Sequence, residues 1–356
     1  MPAITSKHKY NNIPTSLIND ARVNEQVPFD ASRHLIFEAS SSIHSLKDFE
    51  LEESGISSMA VSEPFLLFSR EAIQQFRAEI LSQEVLETSY CPTGDTSGHF
   101  RVHYPKYARS TSDAWNCPEV VAIIPKVAGV ELVPAIDYDV GHVNISINGI
   151  QDDQEVWAGP GEQKEKSISG YCESAFGWHT DSYAFVAVTM LSDCCDMIGG
   201  ETKIRKGNGD IADARGPTMG TVVVMQGSCV PHKATSAKGG RERMTMVTSW
   251  RPRSPHMKDA TIMRGTRNTS HLPTLYNQYT EYRLANLVQR VQKQLKDVED
   301  RKEADSGFDP EGVRGWLLKQ RSYIDDMLRE IQAVQGVLTC FFSYWRNQIL
   351  ARPDLL

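Results

Sequence analysis

Between about residue 131 and residue 253 the chain is a succession of short β-rich runs separated by glycine-bearing turns, and this texture restricts the fold more than any other feature. His142-Val-Asn-Ile-Ser-Ile-Asn148 alternates, with Val143, Ile145 and Ile147 on one face and Asn144, Ser146 and Asn148 on the other. Further strands are expected near 168–174, 183–190, 201–205, 220–226 and 243–250. Gly199-Gly200, Gly207, Gly209, Gly216, Gly220 and Gly239-Gly240 supply the turns. Many short strands at this spacing indicate an antiparallel sandwich or barrel.

The flanks read differently. Residues 1 to about 60 carry Pro2, Pro14 and Pro28 and only short apolar patches, and are expected to wrap the domain as an arm with little regular structure. Ala72, Ile73, Phe76, Ile80, Leu81 and Val85 recur at helical spacing, which predicts one helix from about Ser69 to Leu86. Phe100 to Tyr104 alternates like a strand, and residues 119–129 predict a helix that Pro125 interrupts or kinks. The tail, 274–351, is helical, broken by Asp305-Ser-Gly-Phe-Asp-Pro310. One stripe joins Leu284, Leu287, Val288, Val291, Leu295 and Val298; another runs from Ile324 through Leu328, Ile331, Val334, Leu338, Phe341 and Trp345 to Ile349. The expected result is a helical hairpin packed on the β core; a homodimer seam through the same C-terminal helices is the alternative. The aromatics Phe341, Phe342, Tyr344 and Trp345 read as core, or as a lid.

Composition excludes several classes of function. Lys+Arg is 38 against Asp+Glu 45, a formal charge of −7, which argues against nucleic acid and against an anionic membrane as partners. No apolar run approaches the roughly 20 residues that span a bilayer. The polar start, Met1 to Asn12, lacks the apolar centre of a signal peptide. The 7 cysteines follow no framework spacing and include no CxxC. That pattern fits reduced thiols in the cytoplasm and no structural zinc.

The chemistry concentrates in Gly177-Trp-His-Thr-Asp-Ser-Tyr183. On a strand His179 and Asp181, two apart, project from one face. His232 lies 51 residues past Asp181, after the run Thr221–Gln226. Two imidazoles and one carboxylate are the ligand set of the facial triad that holds non-haem Fe(II), with positions left open for substrate and dioxygen. Arg243 and Thr245 share a strand face, and a guanidinium beside a hydroxyl makes a carboxylate clamp. Arg241 competes with Arg243 for that role. Asn144 could donate to the same ligand from an adjacent strand, and Arg101 and His103 could meet a substrate. Trp178 reads as a packing wall, and the remaining histidines, His142 among them, as surface or structural.

HxD, a distal His and Arg-x-Ser/Thr on the final strand, with Gly199-Gly-Glu-Thr202 between the ligands, resembles the Fe(II)- and 2-oxoglutarate-dependent dioxygenases. The run Trp178 to Pro255 is similar to a large group of fungal members, many linked to secondary metabolism. The resemblance implies an α+β fold: a double-stranded β-helix (jelly roll, cupin-like) catalytic core at 99–255. Around it stand an N-terminal arm and helix, 1–98, and a C-terminal helical region, 256–356, packed on the core as one compact unit. It implies that His179, Asp181 and His232 hold Fe(II), and that 2-oxoglutarate chelates the metal with its far carboxylate on Arg243 and Thr245 and a further contact from Asn144. Dioxygen would then drive decarboxylation of the cosubstrate to succinate and CO2. The product is an oxidised C–H bond in a small molecule, by hydroxylation, desaturation or oxidative cyclisation.

An amino acid or peptide-derived specialised metabolite is the expected substrate, and amino-acid oxygenases that hydroxylate or cyclise to an aziridine belong to the same group. Asp181 argues against the halogenases, which lack that carboxylate. Three other readings share parts of the pattern: an isopenicillin N synthase-like oxidase that needs no 2-oxoglutarate, a non-catalytic jelly-roll binding module, and a zinc hydrolase on a cupin scaffold, which would not require Arg243.

Overall fold

A computed structural model describes residues 13–51, 55–93, 96–101, 107–147, 177–194, 197–214, 218–235, 237–238, 242–267 and 270–332. Its strands are β1 (Ile43–Ser45), β2 (Met59–Ser62), β3 (Phe65–Leu66), β4 (Tyr90–Thr93), β5 (Thr96–Arg101), β6 (Leu132–Pro134), β7 (His142–Ile147) and β8 (Phe185–Met190). They continue with β9 (Ile198–Gly199), β10 (Thr202–Arg205), β11 (Ile211–Ala214), β12 (Thr221–Met225), β13 (His232–Ala234), β14 (Ala237–Lys238) and β15 (Glu242–Pro252). The helices are α1 (Thr15–Asp20), α2 (Ala31–His34), α3 (Arg70–Ile80), α4 (Gln83–Ser89), α5 (Arg109–Asn116), α6 (Pro118–Ala128), α7 (Arg264–Arg267), α8 (Leu272–Glu303) and α9 (Pro310–Glu330).

The large sheet runs β1-β2-β12-β8-β15-β7-β5-β4, with β3 on β12 and β6 on β15. A small sheet, β11-β10-β13, and the pair β14-β9 complete the β structure of the described residues. The ladders β12–β8, β15–β8, β15–β7 and β10–β13 are antiparallel. The result is a mixed fold of helices and antiparallel sheet.

The large sheet is covered on both faces, which explains why its central strands are so apolar. Val222 and Val224 of β12, Phe185 and Ala187 of β8 and Met244, Met246 and Trp250 of β15 pack with the helical residues Ile73, Phe76, Trp115 and Ile124. The intervening Val223, Met225 and Val186 meet Ile204 of the small sheet. On β15 the second face carries Arg243, Thr245, Val247 and Ser249, which line a cavity between the sheets. Period-two alternation on β15 thus hands Met244, Met246 and Trp250 to the helices and Arg243, Thr245 and Ser249, with Val247, to the cavity.

Local signals set the helix ends. Ser69 caps α3, its hydroxyl accepting from the Ala72 amide at 3.1 Å. Glu79 caps α5 from a distance, accepting from the Ser110 and Thr111 amides and the Thr111 hydroxyl. Burial pushes the Glu79 carboxyl above its usual range, against the pull of those bonds. Gly129 ends α6 at φ +66°, a left-handed turn that glycine adopts without strain.

Four expectations change. The single helix from Ser69 to Leu86 is two, α3 and α4, parted at Leu81-Ser82, where both residues turn their amides back to the end of α3. Of the interruption or kink expected at Pro125, the interruption does not occur: α6 runs through the proline to Ala128. The N-terminal arm is more regular than its composition predicts, since β1 and β2 extend the large sheet, with Met225 opposite Val61. The apolar stripe of α8 does not pack on the β core; Leu284, Val288 and Leu295 are exposed, and the helix instead buries Leu275, Tyr279, Tyr282, Arg283, Asn286 and Arg290. Polar residues tolerate that face because they pair. Arg283 donates to the carbonyls of Asp259 and Tyr323 at 3.1 Å each and stands 3.3 Å from the Asp259 carboxylate. The strand expected at 168–174 and the tail beyond Gln332 lie outside the described residues, and so do Arg241 and His103.

One buried ion pair fixes β15 against the helical layer. Arg77 donates to Glu242 at 2.8 Å and to the Leu191 carbonyl at 2.9 Å. Arg77→Ala leaves the Glu242 carboxylate buried without its partner, an expected loss on the order of 3–5 kcal/mol in urea unfolding. A loss below about 1 kcal/mol, the range of an exposed pair, would contradict this account.

Candidate active site

The site begins with a backbone bridge. His179 donates to the His232 carbonyl at 3.0 Å and His232 to the His179 carbonyl at 2.9 Å, an isolated antiparallel bridge between His179 and the first residue of β13. Directly opposed residues send their side chains to the same face, so the two rings lie with centroids 4.4 Å apart. Two residues on, the Asp181 amide donates to the Gly227 carbonyl at 2.8 Å. Its carboxylate then faces both imidazoles: Oδ1 is 3.8 Å from His179 Nε2 and Oδ2 is 3.6 Å from His232 Nε2. The three ligand atoms lie within 4.8 Å of one another.

The remaining ring nitrogens are committed. His179 Nδ1 meets the Gly177 carbonyl at 2.8 Å and His232 Nδ1 the Val230 carbonyl at 2.9 Å. A carbonyl accepts, so each Nδ1 carries a proton, and Nε2 is the ring atom turned toward Asp181. The Asp181 Oδ2 atom is buried without a hydrogen-bond donor. A buried carboxylate oxygen without a donor, beside two imidazole nitrogens, is a set that one divalent cation would satisfy together. Ligands about 2.1 Å from a metal on perpendicular bonds are ~3 Å apart. The observed separations therefore close with sub-ångström movements, and the donor set of two nitrogens and one carboxylate fits Fe(II).

Arg243 and Thr245 line the same cavity, which measures about 500 Å³. Both are buried, at 6% and 2% exposure. Arg243 Nε donates to the Gly200 carbonyl at 2.8 Å, and its Nη1 stands 3.5 Å from the Thr245 hydroxyl. Asn144 pairs directly across from Thr245 and also lines the cavity, its Oδ1 buried without a donor. The six residues singled out from sequence, His179, Asp181, His232, Arg243, Thr245 and Asn144, thus surround one space. The side chain of Arg101 is outside the described set.

The structure adds residues that the sequence reading missed. Gly227 is the seat of Asp181, since a Cβ there would stand 2.0 Å from Oδ2. Gly200, at φ +77°, lies so close to the arginine stem that a Cβ would meet Arg243 Cδ at 3.0 Å. The Gly-Gly pair was the signal for this second position. Asp139, which accepts from the Tyr183 hydroxyl at 2.5 Å, lines the cavity, as do His142, Ser249 and Thr266. Their separation along the chain left no pattern to find. Trp178 lines the cavity beside His179, and Arg205 and Lys233 hold their charges 4.1 and 5.3 Å from its ring centre.

No family model and no curated protein matches the chain. Solved structures match in part. One is an oxidoreductase of the 2OG-Fe(II) oxygenase family from Burkholderia pseudomallei, 15% identical with a TM-score of 0.29, covering 41% of this chain and 56% of that one. A Pseudomonas putida prolyl-4-hydroxylase is 15% identical, with a TM-score of 0.30 and coverage of 52% and 84%. A full-length Neurospora crassa protein in complex with alpha-KG is 14% identical, with a TM-score of 0.29 and coverage of 46% and 60%. The match spans less than two thirds of the Burkholderia and Neurospora chains. No helix among the described residues is long and apolar enough to cross a membrane.

Gly227→Ala forces the Asp181 carboxylate aside without touching the ligands themselves. The expected result is a loss of Mn(II) affinity of about 10- to 100-fold in calorimetry, with an unchanged circular dichroism spectrum. Undiminished affinity would show that this carboxylate does not bind the ion.

Proposed function

We propose that the chain is a non-haem Fe(II)- and 2-oxoglutarate-dependent oxygenase acting on a small molecule. The observation that carries this reading is the convergence of His179 Nε2, His232 Nε2 and the Asp181 carboxylate within 4.8 Å at the wall of a 500 Å³ cavity that also contains Arg243. The strand run β12-β8-β15-β7 facing β11-β10-β13 supports a jelly-roll core for the catalytic unit.

His179, Asp181 and His232 hold the iron, which when bound supplies dioxygen activation and oxidation of an otherwise inert C–H bond. Every other contribution comes from the chain. The Gly177 and Val230 carbonyls lock the two imidazoles in the tautomer that ligates. Arg243, turned by Gly200, and Thr245 bind the far carboxylate of 2-oxoglutarate, and Asn144 adds a contact from the neighbouring strand. Val186, Val188, Met225 and Val247 line the cavity beside them, keeping water scarce around the reacting groups. Substrate enters among Asp139, His142, Ser249 and Thr266, a polar wall suited to hydrogen-bonding molecules such as amino acids or peptide-derived metabolites. Specialised metabolism of the fungal type is the context that the Trp178–Pro255 resemblance supports, and the charge of −7 fits a partner that is neither nucleic acid nor membrane.

Succinate formation that depends on added 2-oxoglutarate, followed over a panel of amino acids and peptides, tests the reaction. His179→Ala and Asp181→Ala should each abolish it while the fold persists. Succinate formation at the wild-type rate in either variant would exclude the ligand assignment. Arg243→Ala should weaken 2-oxoglutarate binding to the Mn(II)-loaded protein by about 30-fold or more, since a buried charge pair loses ~2–5 kcal/mol. Unchanged binding would move the clamp elsewhere, Arg241 first.

A further inference from the structure

We propose that the outer groove of the α8–α9 hairpin is the docking site for the chain's own C-terminal stretch, residues 334–349. The groove is apolar and open to water. On α8, Leu284, Val288, Val291, Leu295 and Val298 stand 38–58% exposed at 4-3-4-3 spacing, a seam of the kind that packs against another helix. On α9, Leu317, Ile324 and Leu328, with Ile331 just past its end, are 41–69% exposed.

The two sets face one way. Arg283 meets Tyr323 and Arg290 meets Gln320, so the helices run antiparallel. At 3.6 residues per turn, the α8 stripe lies about 100° around its axis from the contact with α9, and the α9 stripe about 70° from its contact with α8. In an antiparallel pair those rotations bring both stripes to the side away from the β core. A continuous apolar face of this extent marks a binding surface.

The occupant is argued from sequence and from where the described chain ends. Val334, Leu338, Phe341, Trp345 and Ile349 recur at 4-3-4-4 spacing, one residue longer over five positions than the exposed seam. The stretch 334–349 and the seam 284–298 have nearly equal lengths. The chain leaves α9 beside the start of α8, where the Gln332 carbonyl accepts from the Tyr276 hydroxyl at 3.0 Å. The stretch therefore begins at one end of the groove, and as a helix of about 22 Å it covers roughly two thirds of the way from Tyr276 to Val298. Tethering holds it at an effective concentration on the order of mM, an advantage that a second copy in solution lacks. The same corner touches the candidate active site: Glu330 accepts from the Met263 amide and from Arg267, and Gly265 and Thr266 between them line the cavity.

Hydrogen–deuterium exchange on the full chain, with light scattering on the same samples, tests the proposal. In the wild-type protein the amides of 334–349 should exchange at least about tenfold more slowly than unprotected ones. Val291→Asp, and independently Val288→Asp, should remove that protection while the amides of β8, β12 and β15 keep theirs. Three outcomes overturn it: 334–349 unprotected in the wild type, protection that survives both substitutions, or a wild-type dimer that Val291→Asp dissociates, which would assign the groove to a second copy.

Discussion

Two backbone hydrogen bonds, exchanged between His179 and His232, determine what this protein can do. They join segments 53 positions apart in the sequence and set both imidazoles on one face with their ring centres 4.4 Å apart. Once that register holds, the Asp181 amide bonds to the Gly227 carbonyl two residues later, its carboxylate faces both imidazoles, and Gly227 leaves it room. A one-residue slip would turn His179 away from the cavity and bring Thr180 inward. The convergence of the three candidate ligands thus depends on this backbone register as well as on the side chains themselves.

The rest of the sheet serves that register. β15 is gripped on its helical side by Met244, Met246 and Trp250 in the large core and at its start by the Arg77–Glu242 pair. Arg243 follows that pair at once, on the opposite face, and the carbonyl of Gly200 orients it. Stability and binding therefore divide the same strand residue by residue. Apolar alternation provides the rigidity, and the polar alternate positions provide a preformed site whose donors need little reorganisation when a ligand arrives.

The candidate site was more legible in sequence than the fold around it, for a physical reason. Arg243 and Thr245 are two apart on β15, so strand geometry puts them on one face; His179 and Asp181, also two apart, converge through the His232 bridge and the Asp181–Gly227 bond. Gly227 and the Asp139–Tyr183 contact were invisible, because their roles come from approaches between distant segments. The α8 helix shows the same limit from the other side. Its apolar stripe pointed to a core contact, yet Arg283, Asn286 and Arg290 are buried instead, which only tertiary partners such as Asp259 and the Tyr323 carbonyl make tolerable. The N-terminal arm had too few periodic residues to predict β1 and β2, whose partners lie far along the chain.

The most direct measurement is anomalous diffraction at the iron edge from crystals loaded anaerobically with Fe(II). The account requires one strong peak per chain, within bonding distance of His179 Nε2, His232 Nε2 and an Asp181 carboxylate oxygen. A peak bound elsewhere, or none at that position while the iron is retained by the protein, would contradict it.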